Sequence, residues 1–380
     1  MPIENIFIVI PMLLLAAKIC GEIAERLNVA SLVGEIIGGI IVGPVLGFVA
    51  INSFINDFFT LSVIFLLFMA GLEIKFEDIK HHTYTAAMLA VSGGVLSFIF
   101  GFVVGMFFFN DVIVALAIGV VLVTTSNGTL FLFLMKTGEF NSKIGRLIIA
   151  ITISDDIVGI LFISFFSAFV KSHTIAFGSI LFLFLVSIGF YLVMFTAGAK
   201  IANAILNFVS RFRDENILFS ISLALAFLLA YVTDNIGLSI AAGAFLAGMA
   251  IANSHYSHSV ISPKVMIAAM GFFVPIFYAG VGTVLILKDL NIALIIGIMG
   301  AAVFGKMIGI GFLSRFFGVR GNNQRLMGII MMPRGNENIA IVQIVFLLGV
   351  ITYQIYTSII FAMVATVILT PILLRLFWKK

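Results

Sequence analysis

Ile151-Thr152-Ile153-Ser154-Asp155-Asp156-Ile157-Val158-Gly159 places two consecutive carboxylates inside an apolar run that extends from about residue 146 to 169. A run of that length can cross the hydrocarbon core of a bilayer, which takes roughly 20 apolar residues. A carboxylate at such depth costs at least about 2.5 kcal/mol, so the pair is not there to help the helix fold. Neighbouring residues on a helix point about 100° apart. One aspartate can therefore face a cavity while the other faces a neighbouring helix.

The rest of the chain agrees with this setting. Of its 380 residues, 62% are hydrophobic and 10% charged, against roughly 45–50% and about 25% in a soluble domain. That balance excludes soluble enzymes and nucleic-acid binders and predicts an all-α polytopic membrane protein, a single membrane domain over residues 1–380. Apolar runs near 4–24, 30–50, 58–74, 84–109, 112–135, 146–169, 174–199, 216–233, 237–253, 264–287, 290–313, 325–349 and 354–376 make thirteen expected transmembrane helices. The first is read as a retained span and not a signal peptide, because Met1-Pro2-Ile3-Glu4 lacks a basic leader. The single cysteine, Cys20, rules out an internal disulfide framework.

Basic residues orient the spans. With the N-terminus outside and the C-terminus cytoplasmic, seventeen of the 21 Lys and Arg residues fall in the inside loops and C-terminal tail, Lys18 and Arg26 among them. Only Lys171 and Lys288 fall outside, while Lys306 and Arg334 lie within apolar spans. Such asymmetry is the positive-inside pattern. Thirteen spans also divide as six, one and six, which starts the two sixes on opposite sides of the membrane: inverted six-helix repeats. The fifth span of each half is interrupted, by Thr124-Thr125-Ser126-Asn127-Gly128-Thr129 and by Pro333-Arg334-Gly335-Asn336-Glu337-Asn338. Paired breaks at equivalent positions point to a transporter's site, with the two broken helices crossing at the midplane.

Depth then ties the unusual residues together. Asp155 lies nine residues from Arg146 at the cytoplasmic end of its span, and Lys306 nine from Arg315 at the end of its own. At a rise of 1.5 Å per residue both sit ~13–14 Å deep, so Lys306 is the expected counter-ion. Thr125 is eleven residues from Lys136 and Pro333 eight from Arg325, which brings both breaks to comparable depth. Carboxylate oxygens of Asp155 and Asp156, hydroxyls of Thr124, Thr125 and Ser126, and carbonyls at a helix break are hard ligands suited to Na⁺ or Li⁺, and less specifically to K⁺. Adjacent carboxylates disfavour joint ionisation and are relieved by either a metal cation or a proton. Groups that hold one or the other couple the two by competition, which is antiport. A salt bridge that merely locks two helices would account for Asp155 and Lys306 but leaves Asp156 unexplained. Arg334 and Glu337 are read chiefly as opposed charges that neutralise exposed half-helix ends.

At these residues the chain resembles the sodium/proton antiporters of the NapA/NhaA type, in the monovalent cation:proton antiporter superfamily. Val33-Gly34-Glu35-Ile36-Ile37-Gly38-Gly39-Ile40-Ile41-Val42-Gly43-Pro44 looks like the family's early Gly-Glu…Gly-Pro helix, and Leu67-Phe68-Met69-Ala70-Gly71-Leu72-Glu73 like its third-helix signature. Thr124-Thr125-Ser126, Asp155-Asp156, Gly305-Lys306 and Pro333-Arg334-Gly335 follow in the family's order and spacing. The resemblance implies a thirteen-helix fold with dimerisation or scaffold helices in 1–74 and 216–287, a mobile transport core in 84–169 and 290–376, and a linker helix at 174–199. It implies a homodimer, Asp156 as the ion-binding aspartate, Asp155 paired with Lys306, and alternating access with electrogenic exchange of two H⁺ per Na⁺. Asn127-Gly128 stands where apolar residues are usual, and Asn336 precedes Glu337 where the family has Glu at once. With the last expected span close to residue 380, no nucleotide-binding domain of the Kef-type potassium exporters is expected, which weighs against potassium efflux.

The expected activity is thus secondary transport of Na⁺ or Li⁺ against H⁺ across the cell membrane, serving pH homeostasis, with no cofactor and no enzymatic reaction. K⁺/H⁺ exchange on the same fold is the alternative. An intramembrane aspartyl protease needs two carboxylates facing each other across helices, which adjacent positions cannot supply, and a passive channel does not account for two broken helices around buried charges. Gly34, Gly38, Gly39, Gly43 and Gly47 read as packing faces, near the dimer surface, and Gly305 and Gly309 as room for the lysine helix to approach the double-Asp helix. His81, His82, His255 and His258 are expected in solvated loops, Glu35 and Glu73 as helix-end or packing carboxylates, and Glu4, Asp57 and Asp111 as ordinary external residues.

Overall fold

The computed structural model describes residues 5–27, 29–49, 53–73, 83–126, 130, 134, 139, 142–172, 189, 193–214, 216–236, 239–252, 254–288 and 290–377. Every regular element among them is helical. In chain order they are α1 (Ile6–Arg26), α2 (Ser31–Ile40, continued by a π-helical turn at Ile41–Val45), α3 (Ser53–Leu72), α4 (Thr83–Phe109), α5 (Val112–Val121), α6 (Lys143–Ser172) and α7 (Ala199–Val209). There follow α8 (Ile217–Asn235), α9 (Ile240–Ala252), α10 (Ser257–Thr283), α11 (Ile292–Phe317), α12 (Asn322–Ile330), α13 (Asn336–Leu347) and α14 (Tyr353–Phe377). Seven helices of the described residues are long and apolar enough to cross a membrane. Large apolar side chains such as Phe7, Phe107, Ile267 and Phe316 stay exposed, as a lipid-facing surface allows. The expected linker at 174–199 lies for the most part outside the described residues, as do His81 and His82.

The chain falls into two compact units. The first comprises Met1–Lys18, Glu35–Glu77 and Ile163–Thr283. Its centre is α9, buried over its whole length from Ala241 to Ala252. Small residues set how closely α9 is approached: a Cβ on Gly71 would overlap the Phe245 carbonyl, and one on Gly248 the Phe68 carbonyl, so α3 and α9 touch backbone to backbone. Phe65 stacks on Phe273 at a centroid distance of 4.0 Å, adding an aromatic layer between α3 and α10. The glycine face of α2 behaves as expected, with Gly38 against Ala16 of α1 and Gly39 against Ala279 of α10.

Three expectations change here. Lys18, placed in an inside loop by its charge, lies within α1, eight residues short of its end. There Lys18 Nζ stands 3.8 Å from Glu35 and donates to the Met270 carbonyl at 2.9 Å. Its long stem lets a charged head leave the apolar face, so a charge need not end a span. The tenth helix starts at Ser257, ahead of the expected 264, because Lys264 also sits on the helix and reaches Asn216 at 2.9 Å. His258 is accordingly in a helical turn and not a loop.

The second unit comprises Ile19–Gly34, Asp78–Phe162 and Val284–Lys380. Here α4 is the common neighbour. Gly101 meets Gly119 of α5, Gly105 meets Ala115, and Ser97 and Gly93 meet Gly305 and Gly309 of α11. A satellite core of Leu89, Ile148, Ile151, Leu326 and Met331 closes the end where α4, α6 and α12 converge. Gly318 (φ +83°) and Gly321 (φ +66°) adopt the left-handed backbone that turns the chain from α11 into α12.

Candidate cation-binding site

Two interruptions within the second unit organise the site. Asp111 begins α5, its Oδ1 accepting the Ile113 and Val114 N–H groups at 2.8 and 3.1 Å. It is thus an N-cap and not an idle external residue. The helix stops at Val121, two residues before the expected break begins, and the Leu122 N–H turns back to Gly119. Residues 127–129 of the expected break lie outside the described residues. In the second interruption α12 ends at Ile330 and α13 begins at Asn336, so the unwound piece is Met331–Gly335. Asn336, Glu337 and Asn338, expected inside the break, instead form the first turn of α13. Pro333 brings no N–H, and Asn338 Oδ1 accepts the Gly335 N–H at 3.2 Å, closing the new helix start.

The two interruptions are hydrogen-bonded to one another. The Ser126 N–H donates to the Pro333 carbonyl at 2.9 Å and Thr125 Oγ1 to the Met331 carbonyl at 3.0 Å. Arg334, fully buried, donates from Nη1 to the Thr124 carbonyl at 2.6 Å. Its Nη2 donates to Ser97 Oγ and to the Ala302 carbonyl, both at 3.2 Å, and its backbone N–H to Thr366 Oγ1 at 3.0 Å. These partners are all neutral oxygens. The guanidinium thus places positive charge where the α5 half-helix ends, the end that a helix dipole makes negative.

The carboxylates stand on α6. Asp155 is 0% exposed and Asp156 3%, and Lys306 Nζ of α11, itself fully buried, donates to Asp155 Oδ1. Asp155 Oδ2 and Thr124 Oγ1 are buried and make no hydrogen bond among the described residues. A Cβ on Gly159 would overlap the Thr124 methyl. Gly159 lies four residues past Asp155 and three past Asp156, so Thr124 rests on the face of α6 that carries both carboxylates. Thr152, on the same helix, approaches the second interruption through its 3.4 Å contact with Met331 Sδ. Glu337 is 6% exposed in the first turn of α13.

Gly305 and Gly309, expected to make room for the double-Asp helix, face α4 instead. A Cβ on either would strike α4, at Ser97 or at Ser92 and Gly93, and the long side chain of Lys306 spans the remaining way to α6. Among the described residues no cluster of three or more His, Cys, Asp or Glu side chains forms. A cavity of about 430 Å³ in the same unit is lined by Met307, Phe312, Gln324, Arg325 and Phe377, and by neither aspartate.

Sequence reasoning assigned no task to Asn338, Ser97 or Thr366. Asn338 Nδ2 donates to the Val121 and Thr124 carbonyls, both at 3.0 Å, and its side chain is fully buried. A polar residue within an apolar run was the available signal, but it is equally the signal of the break itself.

An all-helical membrane chain with a buried Lys–Asp pair beside two interlocked helix interruptions has the makings of an ion-coupled carrier. Residues 12–380 match the family model for the transmembrane sodium/hydrogen exchanger, and the chain belongs to that family of secondary transporters, the monovalent cation:proton antiporters. It is 27% identical over 372 residues to the Na(+)/H(+)-K(+) antiporter GerN of Bacillus cereus, covering 97% of this chain and 95% of that protein. To the Na(+)/H(+) antiporter of Enterococcus hirae it is 26% identical over 374 residues, 97% of each. The solved structure of the sodium proton antiporter MjNhaP1 from Methanocaldococcus jannaschii at pH 8 aligns with a TM-score of 0.74 at 18% identity, over 96% of this chain and 94% of that one. The two share a fold.

Proposed function

We propose that this protein exchanges Na⁺ or Li⁺ for H⁺ across the cell membrane by alternating access. Asp156 is the carboxylate that holds cation and proton in turn, and Asp155, paired with Lys306, is its partner. The observation that carries the reading is the fully buried Lys306–Asp155 pair with Asp156 beside it on α6. Removing charges from water is costly, and a buried pair is weak evidence for stability alone, whereas a second carboxylate next to it adds a group that a cation or a proton must relieve.

Charge counting supports electrogenic exchange of two H⁺ per Na⁺. With Na⁺ held by two ionised aspartates and Lys306 neutral, the site carries one negative charge. With Asp156 and Lys306 both protonated and Asp155 ionised, it carries none. The two loaded states differ by one unit, and each cycle moves net charge. Thr124 Oγ1 supplies a hydroxyl ligand; Thr125 and Ser126, whose groups bond across to the second interruption, hold the first in shape, as do Arg334 and, by its charge at the α13 start, Glu337.

The wider architecture belongs to the same reading: thirteen spans in inverted six-helix repeats, N-terminus outside, C-terminus cytoplasmic. Residues 1–74 and 216–287 form the scaffold through which two copies pair, 84–169 and 290–376 the moving core, and 174–199 the link. Support comes from the distribution of basic residues and from the division of the chain into two compact units, whose limits resemble these except that Ile19–Gly34 groups with the core helices. A second reading, K⁺/H⁺ exchange, is favoured by one observation, the naming of K⁺ as well as Na⁺ in the designation of GerN.

Proteoliposomes tested separately with Na⁺, Li⁺ and K⁺, with and without a clamped membrane potential, decide between them. Na⁺ and Li⁺ should dissipate an imposed pH gradient, faster when the potential is clamped, and Asp156→Asn should abolish this in a folded protein. Exchange retained by Asp156→Asn would reject its assigned role, and K⁺ outrunning Na⁺ would establish the second reading.

A further inference from the structure

The carbonyl oxygen of Thr124 lies at the first interruption, on the residue whose methyl rests against Gly159 of α6. Backbone carbonyls at a helix break are the usual candidates for a cation shell. This one is already engaged twice, by Arg334 Nη1 at 2.6 Å and by Asn338 Nδ2 at 3.0 Å. A carbonyl oxygen has two lone pairs, so both acceptor positions are taken, one of them by a charge-assisted bond. The Val121 carbonyl, left without an intrahelical partner at the end of α5, is taken by the same Asn338 amide at 3.0 Å. Asn338 Oδ1 meanwhile receives the Gly335 N–H. By contrast, Thr124 Oγ1 and Asp155 Oδ2 are buried and make no hydrogen bond among the described residues.

We infer that Asn338 is a specificity-determining positioning residue: its carboxamide withdraws the Val121 and Thr124 carbonyls from the transported cation and shifts the shell toward carboxylate and hydroxyl oxygens. This rests on the exchange reading above and deepens it by naming which oxygens serve. A shell of few, strongly charged oxygens suits a small cation, whereas rings of backbone carbonyls are what replaces the hydration shell of K⁺. Asn338 thereby biases the site toward Li⁺ and Na⁺. It touches no cation itself and acts through the Val121 and Thr124 carbonyls.

The test is cation preference in proteoliposomes of wild type, Asn338→Ala and Asn338→Ser. Both variants free the Val121 carbonyl and one of the two acceptor positions of the Thr124 carbonyl, while the serine hydroxyl is still able to cap the Gly335 N–H and so protects the fold. The ratio of KM for K⁺ to KM for Li⁺ should fall about tenfold in each, the size typical of losing a residue that orients a metal's ligands. Gln343→Ala is the control. Gln343 is as buried on the same helix and accepts from Tyr356 Oη at 2.8 Å, so its loss should lower the melting temperature and leave the ratio unmoved. If Li⁺, Na⁺ and K⁺ constants all move by one common factor, or none moves, Asn338 is merely structural and the inference falls. If wild-type vesicles exchange no cation for protons, the functional reading itself has failed. Wild-type protein labelled with [1-¹³C]threonine provides a test without substitution at 338, with Thr124→Ser identifying the Thr124 band. Its infrared carbonyl frequency should stay put when Na⁺ is added, and a shift assigned to Thr124 would overturn the inference.

Discussion

Of the three lysine–carboxylate pairs that join helices among the described residues, Lys18–Glu35 in one compact unit and Lys306–Asp155 in the other differ in almost everything else. Lys18 has a side chain 49% exposed and stands 3.8 Å from Glu35, with a backbone carbonyl as its closer partner. Lys306 and Asp155 are both 0% exposed and directly hydrogen-bonded. The first lysine can satisfy itself with water or headgroups at little cost, so its pair is a convenience of packing. Among the described residues the second donates to Asp155 alone and has no exposed surface through which water could replace it. A lysine and a carboxylate serve as a half-exposed fastening in one unit and, under the proposed function, as part of the cation and proton site in the other. Burial makes the difference.

That contrast is broken or sharpened by substitution. Lys306→Ala strands Asp155 as an unpaired buried charge and should destabilise the protein by about 3–5 kcal/mol, read as a lowered melting temperature. Adding Asp155→Asn to it should recover part of the loss, and an unchanged melting temperature in the single variant would argue that the pair carries no buried charge. A smaller loss is expected at the start of α5. Asp111→Ala removes the acceptor of two N–H groups and should cost about 1 kcal/mol, lowering the melting temperature without changing which cation is preferred. The least is expected of Lys18→Gln. With Lys18 half-exposed and 3.8 Å from the buried Glu35, this loosely spaced pair is worth about 0–1 kcal/mol, and exchange should persist at the wild-type rate. Loss of exchange there would erase the distinction between the two pairs.

Much of this contrast could be read from the chain alone, and the part that could not has physical causes. The depth of Lys306 and Asp155 followed from counting residues to the nearest basic end, because a helix has a fixed rise. Lys18 defeated the same reasoning, since a lysine stem is long enough to sit within a span and still deliver its charge elsewhere. The glycines flanking Lys306 announced a close approach but not to which helix; spacing fixes a face, and only the folded chain supplies α4. The second interruption was placed too far along because Asn336, Glu337 and Asn338 look like breakers in an apolar run, while their actual role is to begin a helix. Asn338 is the extreme case. Its partners Val121 and Thr124 lie 217 and 214 residues away, and nothing local to the residue names them.

On the proposed mechanism Asp156 gives up a proton when a cation arrives. Purified protein in weakly buffered solution, titrated in turn with Na⁺, Li⁺ and K⁺ while released protons are counted, tests it most directly. Wild type should release protons on adding Na⁺ or Li⁺, and Asp156→Asn should release none. Silence from wild type with all three cations across the whole pH range, or undiminished release from Asp156→Asn, would contradict it.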